Sequence, residues 1–184
     1  MKVEEIYLKG CFVITPCIFQ DERGYFFESF NKLKFEKETG VATSFIQDNQ
    51  SKSSKYVLRG LHFQIGRFAQ SKLVRVVKGK VLDVCVDLRQ GSPTFGKYFS
   101  IILDDTQHKE LFIPKGFAHG FVVLEDDTVF SYKCDNYYDK SSEQGIIYND
   151  KDLAIDWHLP SEELILSDKD KLLPTFKDFL NEKY

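Results

Sequence analysis

From Val57 to Asp135 the chain is divided into short runs of alternating apolar and polar residues, each closed by a turn-forming cluster, and this pattern restricts the fold more than any other feature. The runs are Val57 to Gln64, Ser71 to Lys78, Val81 to Leu88, Lys97 to Leu103, Glu110 to Ile113, Gly116 to Leu124 and Thr128 to Asp135. A period of two sends successive side chains to opposite faces of a strand, so each run reads as a strand with a buried face. Many short strands at close spacing close into a sandwich or barrel. Lys72 to Lys78 and Val81 to Leu88, joined through Gly79, read as a hairpin.

The flanks add less regular elements. Cys11 to Phe19 and Tyr25 to Phe30 are expected strands on either side of a turn at Asp21-Glu-Arg-Gly24. Asn31 is placed to cap a short helix that runs through Glu38 and stops at Gly40. Thr43 to Asn49 returns to extended structure. In the tail, Phe176 and Leu180 lie four apart in a short helix within Leu172 to Leu180, and the tail is expected to pack across the barrel and close its mouth. With no Pro/Ser-rich linker, low-complexity tract or repeat, residues 1–184 read as one domain.

Composition narrows the function classes. A net charge of −3 with scattered basic residues leaves no electrostatic footprint for nucleic acid, though a small phosphorylated ligand held by a few arginines fits. No stretch has the length of a membrane span, and Met-Lys-Val-Glu-Glu-Ile lacks a secretory apolar region, so a soluble, cytoplasmic protein is expected. Cys11, Cys17, Cys85 and Cys134 lack CxxC spacing and are expected to be reduced and mostly buried. The aromatics Phe26, Phe27 and Phe30 exceed what one short sheet edge buries, which predicts a homodimer.

His62 and His119 stand in Arg59-Gly-Leu-His-Phe-Gln64 and Pro114-Lys-Gly-Phe-Ala-His-Gly-Phe121, where strands could aim both into one cavity. No further histidine or acid follows His62 at ligand spacing, so a metal site is not expected. His108 and His158 read as structural. Around His62 the residues Arg59, Gln64, Gln70 and Lys72 concentrate more polarity than a barrel interior tolerates without a ligand. Lys72 shares a face with Val74 and Val76; it either presents its ammonium inward, where it could stabilise an oxyanion, or ends a surface strand. Tyr132 is either a proton donor or core. Strict alternation puts Arg59 and His62 on opposite faces, so a shared site requires a bulge or the end of the strand near Gly60.

Taken together, Asp21-Glu-Arg-Gly-Tyr-Phe-Phe-Glu28, Gln47-Asp-Asn-Gln-Ser51, the two histidine segments, Lys72-Leu-Val-Arg-Val76 and Gly91-Ser-Pro-Thr-Phe-Gly96 form a specific set. Tyr132-Lys, Tyr137-Tyr138, Asn149-Asp150, Ile155-Asp-Trp157 and Leu166-Ser-Asp-Lys-Asp170 extend it through the tail. Nearly the whole chain thereby resembles the dTDP-4-dehydrorhamnose 3,5-epimerases. The resemblance implies a mainly β, cupin-type double-stranded β-helix, or jelly-roll barrel, with short peripheral helices. It implies epimerisation at C3 and C5 of a dTDP-linked 4-keto-6-deoxy sugar through an enolate, without cofactor.

By the same resemblance His62 is the base, oriented by Asp170; Tyr132 is the acid on the opposite face of the sugar, and Lys72 stabilises the enolate. Arg23, Gln47, Asn49, Arg59 and His119 match positions that hold the diphosphate and sugar. Glu28, Glu143 and Lys169 match other nucleotide-contacting positions, and Tyr138 matches the residue that stacks on thymine. Alternatives are a single-carbon epimerase, a 3,4-ketoisomerase of another nucleotide-linked 4-keto sugar, a metal-dependent cupin oxygenase, for which the ligands are missing, and a non-catalytic ligand-binding cupin.

Overall fold

The computed structural model describes residues 1–182. The strands are β1 (Lys2–Glu5), β2 (Phe12–Thr15), β3 (Phe19–Asp21), β4 (Gly24–Phe26), β5 (Gln47–Ser53), β6 (Leu58–Gln64) and β7 (Lys72–Lys78). They continue as β8 (Lys80–Asp87), β9 (Tyr98–Asp104), β10 (Glu110–Ile113), β11 (Phe117–Val123), β12 (Thr128–Cys134) and β13 (Glu143–Gly145). The helices are α1 (Lys32–Thr39), α2 (Asp168–Lys171) and α3 (Phe176–Glu182). Asn31 caps α1 by accepting from the Lys34 N–H, and Gly40 ends it in the left-handed region. None of the described helices is long and apolar enough to cross a membrane.

Two antiparallel sheets form the barrel, one in the order β1-β2-β10-β7-β12-β5, the other in the order β13-β6-β11-β8-β9. Strand alternation sorts the apolar residues into three layers. Val74, Val76, Leu111 and Phe130 of the first sheet meet Val81, Cys85, Phe121 and Val123 of the second in the lumen. Leu82, Val84 and Val86 point the other way, under Trp157, Phe176 and Phe179 of the C-terminal region. On the far side Phe12, Leu73 and Phe112 are covered by Phe35 of α1. β8 is therefore buried on both faces, which explains its almost unbroken apolar composition.

The junction at Gly79 differs from the expected hairpin. β7 pairs with β10 and β12, whereas β8 pairs with β11 and β9, so the chain changes sheet at this residue. The single linking residue is too short for a two-residue turn; it makes a corner, with Gly79 at φ +84 and its N–H donated to Asp105 at 2.7 Å.

The expected bulge lies in β6. His62 is opposite His119 and Arg59 is opposite Phe121, so three steps along β6 match two along β11. Gly60, at φ +131, meets Gly120 there; a Cβ on Gly60 would lie 2.6 Å from the Gly120 Cα. The extra residue reverses the strand's parity, leaving Leu58 and Leu61 outside while Arg59 and His62 both face the lumen.

Candidate active site

At one end of the lumen the sheets part around a cavity of about 730 Å³, a volume suited to a nucleotide sugar. β6 and β11 of one sheet bring His62 and His119 to it; β7 and β12 of the other bring Lys72 and Tyr132. The tail supplies Lys169 and Asp170 after an isolated bridge between Val57 and Ile165 fastens it to the rim.

His62 and Asp170 form a dyad, Nε2 to Oδ1 at 2.6 Å, with the carboxylate buried and the imidazole open to the cavity. Ser167 positions Asp170 by capping α2: its Oγ accepts from the Asp170 N–H at 3.1 Å. Burial alone would raise the Asp170 carboxyl, but the hydrogen bond and charge of His62, with Ser167 and the Gly60 backbone, hold it below the usual carboxylate range. A persistent carboxylate behind an imidazole fixes the ring tautomer and stabilises imidazolium when a proton arrives.

Tyr132 faces this dyad from the opposite sheet. Burial, more than the neighbouring Cys134 and Glu143, pushes its phenol above the ordinary value against the opposing pull of Arg59, so at neutral pH it is a protonated donor. Lys72 shares its inward face with Val74 and Val76, and its Nζ lies 5.9 Å from the centroid of the Tyr132 ring. Burial lowers the Lys72 ammonium below its usual value, opposed by Cys134, Asp83 and Glu143. Of the two readings of Lys72, the structure has the inward one.

Polar side chains of β5 and of the segment after β12 border the same cavity. Gln47 donates to Asn49 at 3.1 Å and accepts the Tyr138 N–H at 3.0 Å. The exposed Tyr138 ring stands at the rim with its hydroxyl donated to Glu143 at 2.8 Å, and Lys169 pairs with the same carboxylate at 2.5 Å. Arg59 donates to Ser53 Oγ at 3.1 and 3.3 Å. The Glu143 carboxylate is thus matched by Lys169, while among the described residues Arg59 and Lys72 have no carboxylate in salt-bridge contact. Two surplus cations in a confined cavity favour an anionic ligand.

Arg23 and Glu28 are not brought to this cavity by their own chain. Arg23, at the tip of the β3–β4 hairpin, is paired with Asp21, and Glu28 accepts from Asn31 and Lys34. Conversely, the sequence reading missed Asp83. Its carboxylate is wholly buried on β8 and contacts His119 Nε2 at 2.9 and 3.1 Å. A signal was present: Asp83 is a charged residue at an inward position with apolar neighbours on both sides along β8. His108 and His158 lie outside the cavity, the first stacked on Phe27 and packed against a tilted Tyr25 ring.

A family model described as dTDP-4-dehydrorhamnose 3,5-epimerase matches residues 5–178. A curated dTDP-4-dehydrorhamnose 3,5-epimerase from Escherichia coli K12 is 49% identical over 183 residues, covering 100% of this chain and 98% of its own. The crystal structure of an enzyme of that name from Elizabethkingia anophelis superposes with a TM-score of 0.93 at 53% identity, covering 97% of each chain. A dTDP-6-deoxy-D-glucose-3,5-epimerase from Legionella pneumophila, solved in complex with dTDP-4-keto-L-rhamnose, gives a TM-score of 0.92 at 45% identity over 96% of this chain and 93% of its own. The chain is an isomerase on a cupin-type barrel. It belongs to the dTDP-4-dehydrorhamnose 3,5-epimerase family.

Proposed function

We propose that the chain inverts C3 and C5 of dTDP-4-dehydro-6-deoxy-D-glucose to give dTDP-4-dehydro-L-rhamnose, a step of dTDP-L-rhamnose biosynthesis. The C4 ketone acidifies the hydrogens on both neighbouring carbons, so a base, an acid and a cation suffice without electron transfer. His62 removes the proton, and Asp170 stabilises the resulting imidazolium. Lys72 stabilises the enolate at the C4 oxygen. Tyr132 returns a proton to the other face. Arg59, Gln47, Asn49 and His119 hold the diphosphate and sugar, Glu143 and Lys169 contact the nucleotide, and Tyr138 stacks on the thymine.

The observation that carries this reading is the placement of His62 and Tyr132 on opposite sheets around one cavity, with Lys72 beside them. The test is proton NMR of the 4-keto sugar nucleotide in deuterium oxide, scoring exchange at C3 and C5 separately. Exchange at both carbons, with product captured by a rhamnose-forming reductase, is expected; exchange at one would mean a single-carbon epimerase.

We further propose that the protein works as a homodimer in the cytoplasm. The β3–β4 hairpin exposes 63% of Phe19, 58% of Tyr25 and 69% of Phe26, which a second copy would cover. The same hairpin carries Arg23, and Glu28 follows it, so docking against a neighbour would bring these two residues to the neighbour's cavity. The cysteines are free, and Cys11, Cys85 and Cys134 are buried, as suits a reducing compartment.

A further inference from the structure

His119 has its own carboxylate, and that pair lies directly across a strand pairing from the catalytic dyad. His119 and His62 face each other on β11 and β6, yet their rings are bound to different acids, Asp83 and Asp170. Asp83 is fully buried on β8 and does not line the cavity; His119 does. Both Asp83 oxygens lie within hydrogen-bond reach of one nitrogen, His119 Nε2, at 2.9 and 3.1 Å. A buried carboxylate kept at such a position, where an apolar residue would pack at less cost, requires a compensating role.

We infer that Asp83 is a positioning residue for the epimerisation: it fixes His119 as the Nε2–H tautomer, so that Nδ1 is left as the acceptor on the cavity side. This rests on the epimerase reading above. The groups that face this part of the lumen are Lys72 from β7, Tyr132 and Cys134 from β12, Arg59 and His62 from β6, His119 from β11, Glu143 from β13, Asp170 from α2 and Cys85 from β8 itself. Of these, Arg59 is cationic, Lys72, His62 and His119 are cationic when protonated, and Asp170 and Glu143 already face His62 and Lys169.

His119 itself is pushed below the ordinary histidine range, by burial first and by Lys72 and His62 in addition, against the opposing pull of Asp83. At neutral pH it is therefore a neutral imidazole whose Nε2–H is donated to Asp83, leaving Nδ1 as an acceptor. The fixed ring can then receive a hydrogen bond without competing with Lys72 for positive charge.

Two measurements test this. In two-bond proton–nitrogen correlation spectra of the wild-type protein, without substrate, His119 is expected as the neutral Nε2–H tautomer. A ring protonated on Nδ1 alone overturns the inference and does so independently of any activity. In Asp83→Asn, which keeps the shape and removes the charge, kcat is expected to fall about tenfold or more with KM within about twofold. Wild-type kcat, or a KM that rises in step with the fall in kcat, overturns the inference. Should wild-type protein fail to turn over the 4-keto sugar nucleotide, the epimerase reading falls, while the tautomer still decides the Asp83–His119 contact.

Discussion

His62 and Asp170 are 108 residues apart in sequence and 2.6 Å apart in space, so the chemistry of the base depends on a tail that reaches the rim only after the barrel is complete. Replacing His62 by Ala is expected to reduce solvent-proton exchange into substrate by about 10²–10⁴-fold, the usual contribution of a general base. Asp170→Ala should have a smaller effect, since the carboxylate orients and charges the ring without taking the substrate proton. Both variants should melt close to the wild type. Wild-type exchange in His62→Ala would remove the base from this account. At this scale the sequence was informative where a residue broke a pattern: the polarity around Arg59, His62 and Lys72 marked a site within a β-rich segment. Asp83 broke the pattern equally but passed unnoticed, because its partner His119 lies 36 positions away and only the folded sheet makes them neighbours.

At the scale of single elements, β6 has the most demanding geometry. Its parity reversal depends on Gly60, where a side chain would meet the Gly120 backbone and the positive φ disfavours any other residue. Gly60→Ala is therefore expected to cost about 1–3 kcal/mol. By size scaling this lowers Tm by roughly 2–12 °C, and exchange activity should fall because Arg59 and His62 no longer share a face. An unchanged melting curve would contradict this role for the bulge. β10 holds a different strain. Glu110 is buried on the outer face of its sheet, its carboxyl raised to about 8 by burial, and Arg75, with its Nε 4.0 Å away, lowers it only in part. An acid whose folded value is raised contributes its full stability below the unfolded value of about 4.3 and loses it as pH rises through the folded value. Glu110→Gln should accordingly raise Tm at pH 9 by roughly 2–6 °C and leave it nearly unchanged at pH 4, as read by calorimetry. The reverse order would show Glu110 to be stabilised as a carboxylate. Most strands were legible because alternation and turn residues agree over Leu58–Cys134. β13, with three residues, is too short to carry a period, and the corner at Gly79 resembles a hairpin because strand pairing is not encoded in either strand alone.

For the whole molecule, two consequences follow from sheets that face each other around one cavity. The exposed hairpin predicts a dimer, so light scattering at micromolar concentration should give about twice the mass of the 21.4 kDa chain. A monomer would leave Arg23 and Glu28 without a cavity to serve. The second is that His62 and Tyr132, the proposed base and acid, reach the cavity from different sheets, the arrangement that the proposed reaction on opposite faces of the sugar requires. Tyr132→Phe keeps the ring that packs against Phe130 and removes only the hydroxyl. The most direct measurement is solvent deuterium entry and inverted product on one sample of this variant at saturating substrate. His62 should still remove and return protons from its own face, so exchange should persist while inverted product falls far more. Equal loss of the two would place acid and base on the same face or reduce Tyr132 to a binding role, and would contradict the two-sheet mechanism.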